Sequence, residues 1–326
     1  MKKDSWIAIG LLVFTLLTFI VGLSVGSADT SILDGLSDEV FDQQVLYQLR
    51  MPRLLLAWEI GALLAVAGSI MQRVLNNPLA DPYILGSAAG ASFGAAMVRL
   101  AIGGSAFILL PSAGAFAGAM LSVLIILSIS KLMGASGRNQ IILAGVAISS
   151  FLMASLSLIY YMNAGDNILK TLIFWSFGSF EMATWNGILI LFPLLIAAFI
   201  LQPLWHKQLG LMLLGDDRAM QLGQNTNALR WKALLFSSIL VAFCVAQAGP
   251  IGFVGLMVPH WVRSLFGMHR LSVLWEIMIG GYLLLLAEVI SRFLVYPSGL
   301  PPGIMTAMMG VPFFVYLLVR KKYNFQ

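Results

Sequence analysis

Apolar residues run along this chain in long blocks, broken by short polar interruptions. Residues 5–28, 139–165 and 182–205 carry no charged side chain. Crossing a bilayer takes about 20 predominantly apolar residues in a helix. On that measure the pattern predicts ten spans, at 6–27, 53–73, 84–107, 111–131, 140–162, 184–204, 231–248, 252–267, 272–295 and 303–320. The eighth is short enough to be a broken or re-entrant segment. Met1-Lys2-Lys3 before an apolar stretch has the form of a signal peptide. The stretch exceeds the 7–15 residues or so of a signal core, so it reads as a retained first helix. The longest polar stretches, 28–50, 163–183 and 205–230, leave no room for a soluble domain. The expectation is therefore one all-α transmembrane domain over 1–326, with any energy-consuming domain on another chain.

Two segments interrupt the helical pattern. Asn76-Asn77-Pro78-Leu79-Ala80-Asp81-Pro82 holds two prolines four residues apart, which a regular helix interior does not accept. Non-helical backbone at membrane depth persists only where it is buried in protein or lines water. The segment is thus either a turn at the membrane edge or a constriction on a pathway. Gly249-Pro250-Ile251-Gly252-Phe253, followed by Val258-Pro259-His260, is a second break. Ala65–Ile70 and Ala246–Ile251 share a pattern at a spacing of 181 residues, as Pro78 and Pro259 do, and an inverted repeat would produce this. Chance matches among abundant Ala, Gly and Ile would produce it too.

Composition sharpens the class. Hydrophobic residues make up 60% of the chain and charged residues 10%, against about 25% charged in soluble domains. The net charge of +5 comes without a basic, aromatic-interleaved surface, so nucleic acid is not an expected partner. The single cysteine, Cys244, and the scattered His206, His260 and His269 suggest neither a disulfide framework nor a metal site, and no cofactor is expected. With ten spans and a cytoplasmic N-terminus, 14 lysines and arginines fall inside and 5 outside, together the 19 of the chain. This bias predicts a cell-membrane protein with both termini in the cytoplasm. The outside set is Arg50, Arg53, Arg99, Lys170 and Arg292.

Gly215-Asp216-Asp217-Arg218-Ala219-Met220-Gln221-Leu222-Gly223 lies in the sizeable cytoplasmic loop 205–230. Glycines bound a short helix with an acidic first turn, and Ala219 with Leu222 would form a small apolar face. Few basic residues favour docking on a protein over lying on lipid. Glu59 and Glu288 are the charges noted in mid-span. Glu288 and Arg292, at i and i+4, suit a helix ion pair. Glu59 is either a buried structural carboxyl or a functional one. A proton relay for an ion-coupled transporter, or paired groups for an intramembrane enzyme, would need more such residues than these.

Taken in order, Arg-x-Pro-Arg at 50–53, Asn-Pro-Leu-Ala-Asp-Pro at 77–82, Leu143-Ala144-Gly145, the 215–223 segment, Gly-Pro-Ile-Gly-Phe-Val-Gly-Leu at 249–256, Val258-Pro259-His260, His269-Arg270 and Gly-x-Pro-Phe-Phe at 310–314 closely resemble the FecCD family. These are permeases of iron-siderophore, haem and cobalamin ABC importers, and the resemblance covers residues 45–322. It implies a type II importer fold of ten helices, paired with a second permease subunit around an axial pathway. Two ATPase subunits would bind below and a substrate-binding protein above. It further implies that Gly215, Asp216, Asp217, Arg218, Ala219, Leu222 and Gly223 couple to the ATPase, and that Arg50, Arg53 and Arg292 face the binding protein. Asn77, Pro78 and Leu79 would stand at the cytoplasmic constriction opposite Arg138 and Asn139; the family carries small polar residues where this chain has Arg138. Ser150, Ala154 and Ser157 share one face of the fifth span, as a pathway wall or as a close helix contact. The cargo implied first is a ferric siderophore, with haem and cobalamin as alternatives.

Overall fold

The computed structural model describes residues 2–24, 40–102, 109–132, 138–163, 173, 175–295 and 299–320. Among them the secondary structure is helical, without a strand. The helices are α1 (Lys2–Ser24), α2 (Val40–Gln44), α3 (Met51–Val74), α4 (Ser87–Ile102), α5 (Leu109–Leu132), α6 (Arg138–Met162), α7 (Trp185–Met212), α8 (Asp216–Gln221), α9 (Thr226–Ala248), α10 (Val254–Phe266), α11 (Ser272–Leu294) and α12 (Pro302–Arg320). Among the described residues, eight stretches are long and apolar enough to cross a membrane. The other two sequence-predicted spans are the shorter α4 and α10. At 1.5 Å per residue they reach only about 24 Å and about 20 Å, short of a hydrocarbon core of about 30 Å. Each is short because it starts late, after one of the two breaks.

α3 is the hub. It continues α2 through a π-helical turn at Val45–Arg50, and the apolar core of the joined stretch is 89% buried. Pro52 explains the widened turn: its ring would collide with the carbonyl four residues back, and one extra residue per turn relieves that clash. α3 packs against α11, α9, α7 and α10. Two contacts are closer than side chains allow. A Cβ on Gly61 would meet the backbone of Gly280 in α11, and one on Gly68 would meet the Gly255 carbonyl in α10. Without a hydrophobic drive between helices in lipid, such close backbone packing is what holds them together. By contrast, α1, α6 and α12 are 11%, 17% and 22% buried over their apolar windows. Their exposed faces suit lipid or another subunit.

The spacing of 181 residues does not carry through to matching backbone. Ala65–Ile70 lies inside α3, whereas the equivalent stretch from Ala246 straddles the end of α9, where Gly249 follows the last helical residue. Pro78 stands in a loop and Pro259 inside α10.

Candidate functional site

The two breaks pack against each other. After α3, Asn76 turns the chain with φ of 46°, and Asn77 organises the next residues: its side-chain oxygen accepts from the Leu79 amide at 3.0 Å and its carbonyl from Ala80 at 3.1 Å. Asp81 caps a 3-10 turn at Pro82–Leu85 by accepting from the Tyr83 amide at 2.8 Å. Across the interface, the Ile251 amide donates to the Tyr83 hydroxyl at 3.1 Å, and the Phe253 amide donates to Asp81. Pro82 fills the space a side chain at Gly255 would need. Phe253 has φ of 70°; it and Asn76 are the non-glycine residues with positive φ among those described. Such conformations cost on the order of 1–3 kcal/mol and persist where the surroundings enforce them. α6 closes on the same place, for a Cβ on Gly145 would meet the Ile84 carbonyl. That contact gives the Leu143-Ala144-Gly145 motif its reason.

Asn77, Pro78 and Leu79 are half-buried beside this junction. Arg138 opens α6 and Asn139 is exposed in its first turn; the Arg138 side chain lies outside the described residues. Ser150, Ala154 and Ser157 lie on the exposed side of α6. Both serines are turned back onto their own helix, Ser150 Oγ on the Val146 carbonyl and Ser157 Oγ on Met153, each at 2.9 Å. The face they leave is apolar and weakly polar. Near the second break, a cavity of about 600 Å³ opens between Phe177, Pro250 and the α12 residues Gly303, Met308, Val311 and Pro312.

At the end of the bundle that carries α8, sequence reasoning missed a buried polar network. Glu276 of α11 is 1% exposed. It accepts from Ser69 at 2.6 Å and from Gln202, and Arg73 approaches to 3.4 Å. Gln72 accepts from Arg263 at 2.6 Å and donates to the Gly255 carbonyl at 3.2 Å. The available signal was Ser69 and Arg73 at i and i+4, with Glu276 as a charge inside an apolar span. Buried charge survives in such a place when paired and hydrogen-bonded. The network ties α3, α7, α10 and α11 together next to the first break.

α8 projects from that end on α7 and α9. Gly215 and Gly223 bound it with φ of 98° and 81°, conformations that favour glycine. Asp216 pairs with Arg230 of α9 at 2.7 Å, which fixes the helix to the bundle. The expected apolar face needs correction. Ala219 is fully buried against its own chain, whereas Leu222 is 61% and Met220 51% exposed. In so short a helix the burial of Ala219 turns those two residues outward, and they form the free apolar surface.

The opposite end gathers the arginines expected to meet a partner, and the structure gives them internal work. Glu288, fully buried, pairs with both Arg53 and Arg292, the latter at 2.9 Å as the i,i+4 spacing predicts. Arg292 also donates to the Gly22 carbonyl at 3.1 Å, and Arg50 to that of Leu23 at 2.6 Å. Arg50 and Arg292 are therefore buried, and Arg53 is the member of the three with an appreciable exposed surface, 23% of its side chain. Elsewhere on α3, Glu59 is buried, and its Oε2 finds no hydrogen-bond partner among the described residues.

A bundle of helices with eight stretches long and apolar enough to cross a membrane among the described residues, joined at two internal breaks, is the architecture of a polytopic membrane protein. Comparison with known proteins agrees. The model of the FecCD transport family matches residues 13–320. The Fe(3+)-citrate import system permease protein YfmD of Bacillus subtilis is 36% identical, over 99% of this chain and 98% of the relative. The haemin transport system permease protein HmuU of Yersinia pestis is 34% identical, over 94% and 95%. The vitamin B12 import system permease protein BtuC of Vibrio parahaemolyticus is 35% identical, over 92% and 89%. A solved structure of a metal-chelate type ABC transporter, inward-facing, superposes with a TM-score of 0.83 at 30% identity, over 97% of this chain and all of that one. PsaBC from Streptococcus pneumoniae, at 17% identity and TM-score 0.58 over 87% and 93%, shares the fold. The chain belongs to the FecCD transport family, as a multi-pass membrane permease of the ABC importer class.

Proposed function

We propose that this permease pairs with a second permease subunit and carries a ferric siderophore across the cell membrane, powered by two ATPase subunits and supplied by an extracytoplasmic binding protein. The observation that carries the reading is the junction of the two breaks, where Tyr83 and Ile251 join non-helical backbone beside the exposed faces of α6 and α12. Irregular backbone inside a membrane bundle persists where it is buried in protein or lines water, and the broken helices of transporters stand at their binding sites. Ser150, Ala154 and Ser157, with the apolar cavity on α12, make a wall over which a bulky, oxygen-rich chelate slides without being gripped. Groups of histidine, cysteine and carboxylate able to hold a bare ion are absent among the described residues. In this reading α8 lies in the cytoplasm, and Leu222 and Met220 enter a groove on the ATPase. Asn77, Pro78 and Leu79, facing Arg138 and Asn139, form the inner constriction. Arg53 is the docking candidate at the outer face, with Arg50 and Arg292 behind it. The named relatives are importers of Fe(3+)-citrate, haemin and vitamin B12, so chelated metal is their common cargo.

Uptake by cells lacking the gene, complemented with the wild-type chain, tests the cargo. Labelled iron is offered as hydroxamate, catecholate, citrate and haem, with labelled cobalamin alongside. The reading requires loss of at least one siderophore in the mutant and its return on complementation. Loss confined to citrate iron, haem or cobalamin assigns the cargo to that class and overturns the siderophore reading.

A further inference from the structure

At the α8 end, the inner termini of α5, α6 and α9 enclose a cavity of about 100 Å³. Its polar side is formed by Ser130 and Lys131 at the end of α5 and by Asn227 and Arg230 at the start of α9. Lys131 and Asn227 are exposed and form its rim, whereas Ser130 and Arg230 are buried, at 4% and 2%. Arg230 bonds Asp216 at 2.7 Å and Asn227 at 3.4 Å, and this geometry holds the guanidinium at the cavity wall. The opposite side is apolar, with Leu127, Ile141 and Leu234, and Trp231 stands half-buried among them.

Several independent features of this niche favour an anion. Two cations line it, and hydroxyl and amide groups that can donate stand between them. The first turn of α6, through Ile141, and the first turns of α9 border it, and helix N-termini favour negative charge. The volume is that of a few waters at about 30 Å³ each, room for one phosphate-sized group. Asp216 balances the Arg230 charge at 2.7 Å, so Lys131 supplies the net positive charge of the niche. The position narrows the source. Lys131, Asn139 and Thr226 are the terminal residues of three membrane-spanning stretches, so the niche lies where headgroups lie. A tryptophan beside a polar recess with an apolar wall has the amphipathic character of the membrane interface. Basic recesses between helices on the cytoplasmic side bind anionic headgroups.

We infer that the Ser130–Lys131–Asn227–Arg230 niche binds the phosphate of an anionic phospholipid headgroup. Through Arg230 the bound phosphate adjoins the ion pair that holds α8, so the lipid sits where it stiffens the coupling helix. The inference is independent of which cargo is carried.

The test uses the full-length permease in nanodiscs of phosphatidylcholine alone, of phosphatidylcholine with phosphatidylglycerol, and of phosphatidylcholine with inorganic phosphate in the buffer. Retained lipid is counted by native mass spectrometry and thermal stability is measured in parallel. Wild type should retain phosphatidylglycerol and gain stability from it. Lys131→Glu, at an exposed rim position that folding tolerates, should weaken that retention by about tenfold or more, since each cation near anionic headgroups contributes substantially. Lys207→Glu, on α7 at the same end, should not. Stabilisation by inorganic phosphate that Lys131→Glu abolishes would keep the phosphate site but give it a soluble ligand, overturning the lipid assignment. Equal retention in Lys131→Glu, Lys207→Glu and wild type, with no response to phosphate, overturns the site altogether.

Discussion

The Ile251 amide and the Tyr83 hydroxyl meet at 3.1 Å, joining segments 168 residues apart in the chain. Neither break has a regular helix to satisfy its backbone, so each supplies what the other lacks. Removing the hydroxyl with Tyr83→Phe leaves a buried amide unsatisfied, at a cost of about 1–3 kcal/mol. The expected outcome is a lower melting temperature in detergent together with reduced uptake. An unchanged melting temperature would show that the bond contributes nothing to holding the breaks together.

Glu288 neutralises two arginines at once. Glu288→Ala takes the carboxylate from buried Arg292 as well as from Arg53, and breaking a buried pair costs about 3–5 kcal/mol. Arg53→Gln removes a partly exposed partner and should cost much less. Thermal unfolding of the two variants side by side should show the carboxylate change as the larger. In the docking reading, Arg53→Glu additionally lowers affinity for the binding protein at low salt and has little effect at high salt.

For α8, the exposed and buried residues should separate function from folding. In the coupling reading, Leu222→Ser, a change at a surface side chain, leaves melting unchanged while co-purification of the ATPase falls. Ala219→Glu forces a charge into a fully buried position and should reduce the yield of folded protein itself. Normal ATPase recovery with Leu222→Ser would remove that residue from the coupling surface.

Two glycine substitutions should have opposite signs. Gly68→Ala pushes a methyl group into the Gly255 carbonyl and should destabilise by about 1–3 kcal/mol. Gly210→Ala, in α7, meets nothing within 4 Å and should stabilise by about 0.5–1 kcal/mol through the lower entropy of the unfolded chain. Thermal or denaturant unfolding of both distinguishes close helix packing from mere helix propensity.

Much of this architecture was legible in the sequence because bilayer physics writes long periods. Apolar runs set the helices, and Pro78, Pro82, Gly249 and Pro250 marked where they stop. The ion pair of Glu288 with Arg292 followed from helical spacing alone. The illegible part depends on which helices are neighbours. Glu276 meets Ser69 from more than 200 residues away, and no local pattern announces that contact. The same holds for the bond of Arg50 to the Leu23 carbonyl, a main-chain contact that leaves no residue-type signature. The buried side of α8 was misread for a related reason: a six-residue helix has too few positions for periodicity to say which face is covered.

The caps on α1 make that helix a dielectric part of the protein. Most of its length is exposed, yet its last turn lends the Gly22 and Leu23 carbonyls to two buried guanidinium groups. Neutral main-chain oxygens thereby replace part of the hydration shell that burial takes from each cation. Detaching α1 would turn Arg50 and Arg292 into charges that must recover those hydrogen bonds from water or headgroups at the membrane edge, as long cationic side chains near helix ends do.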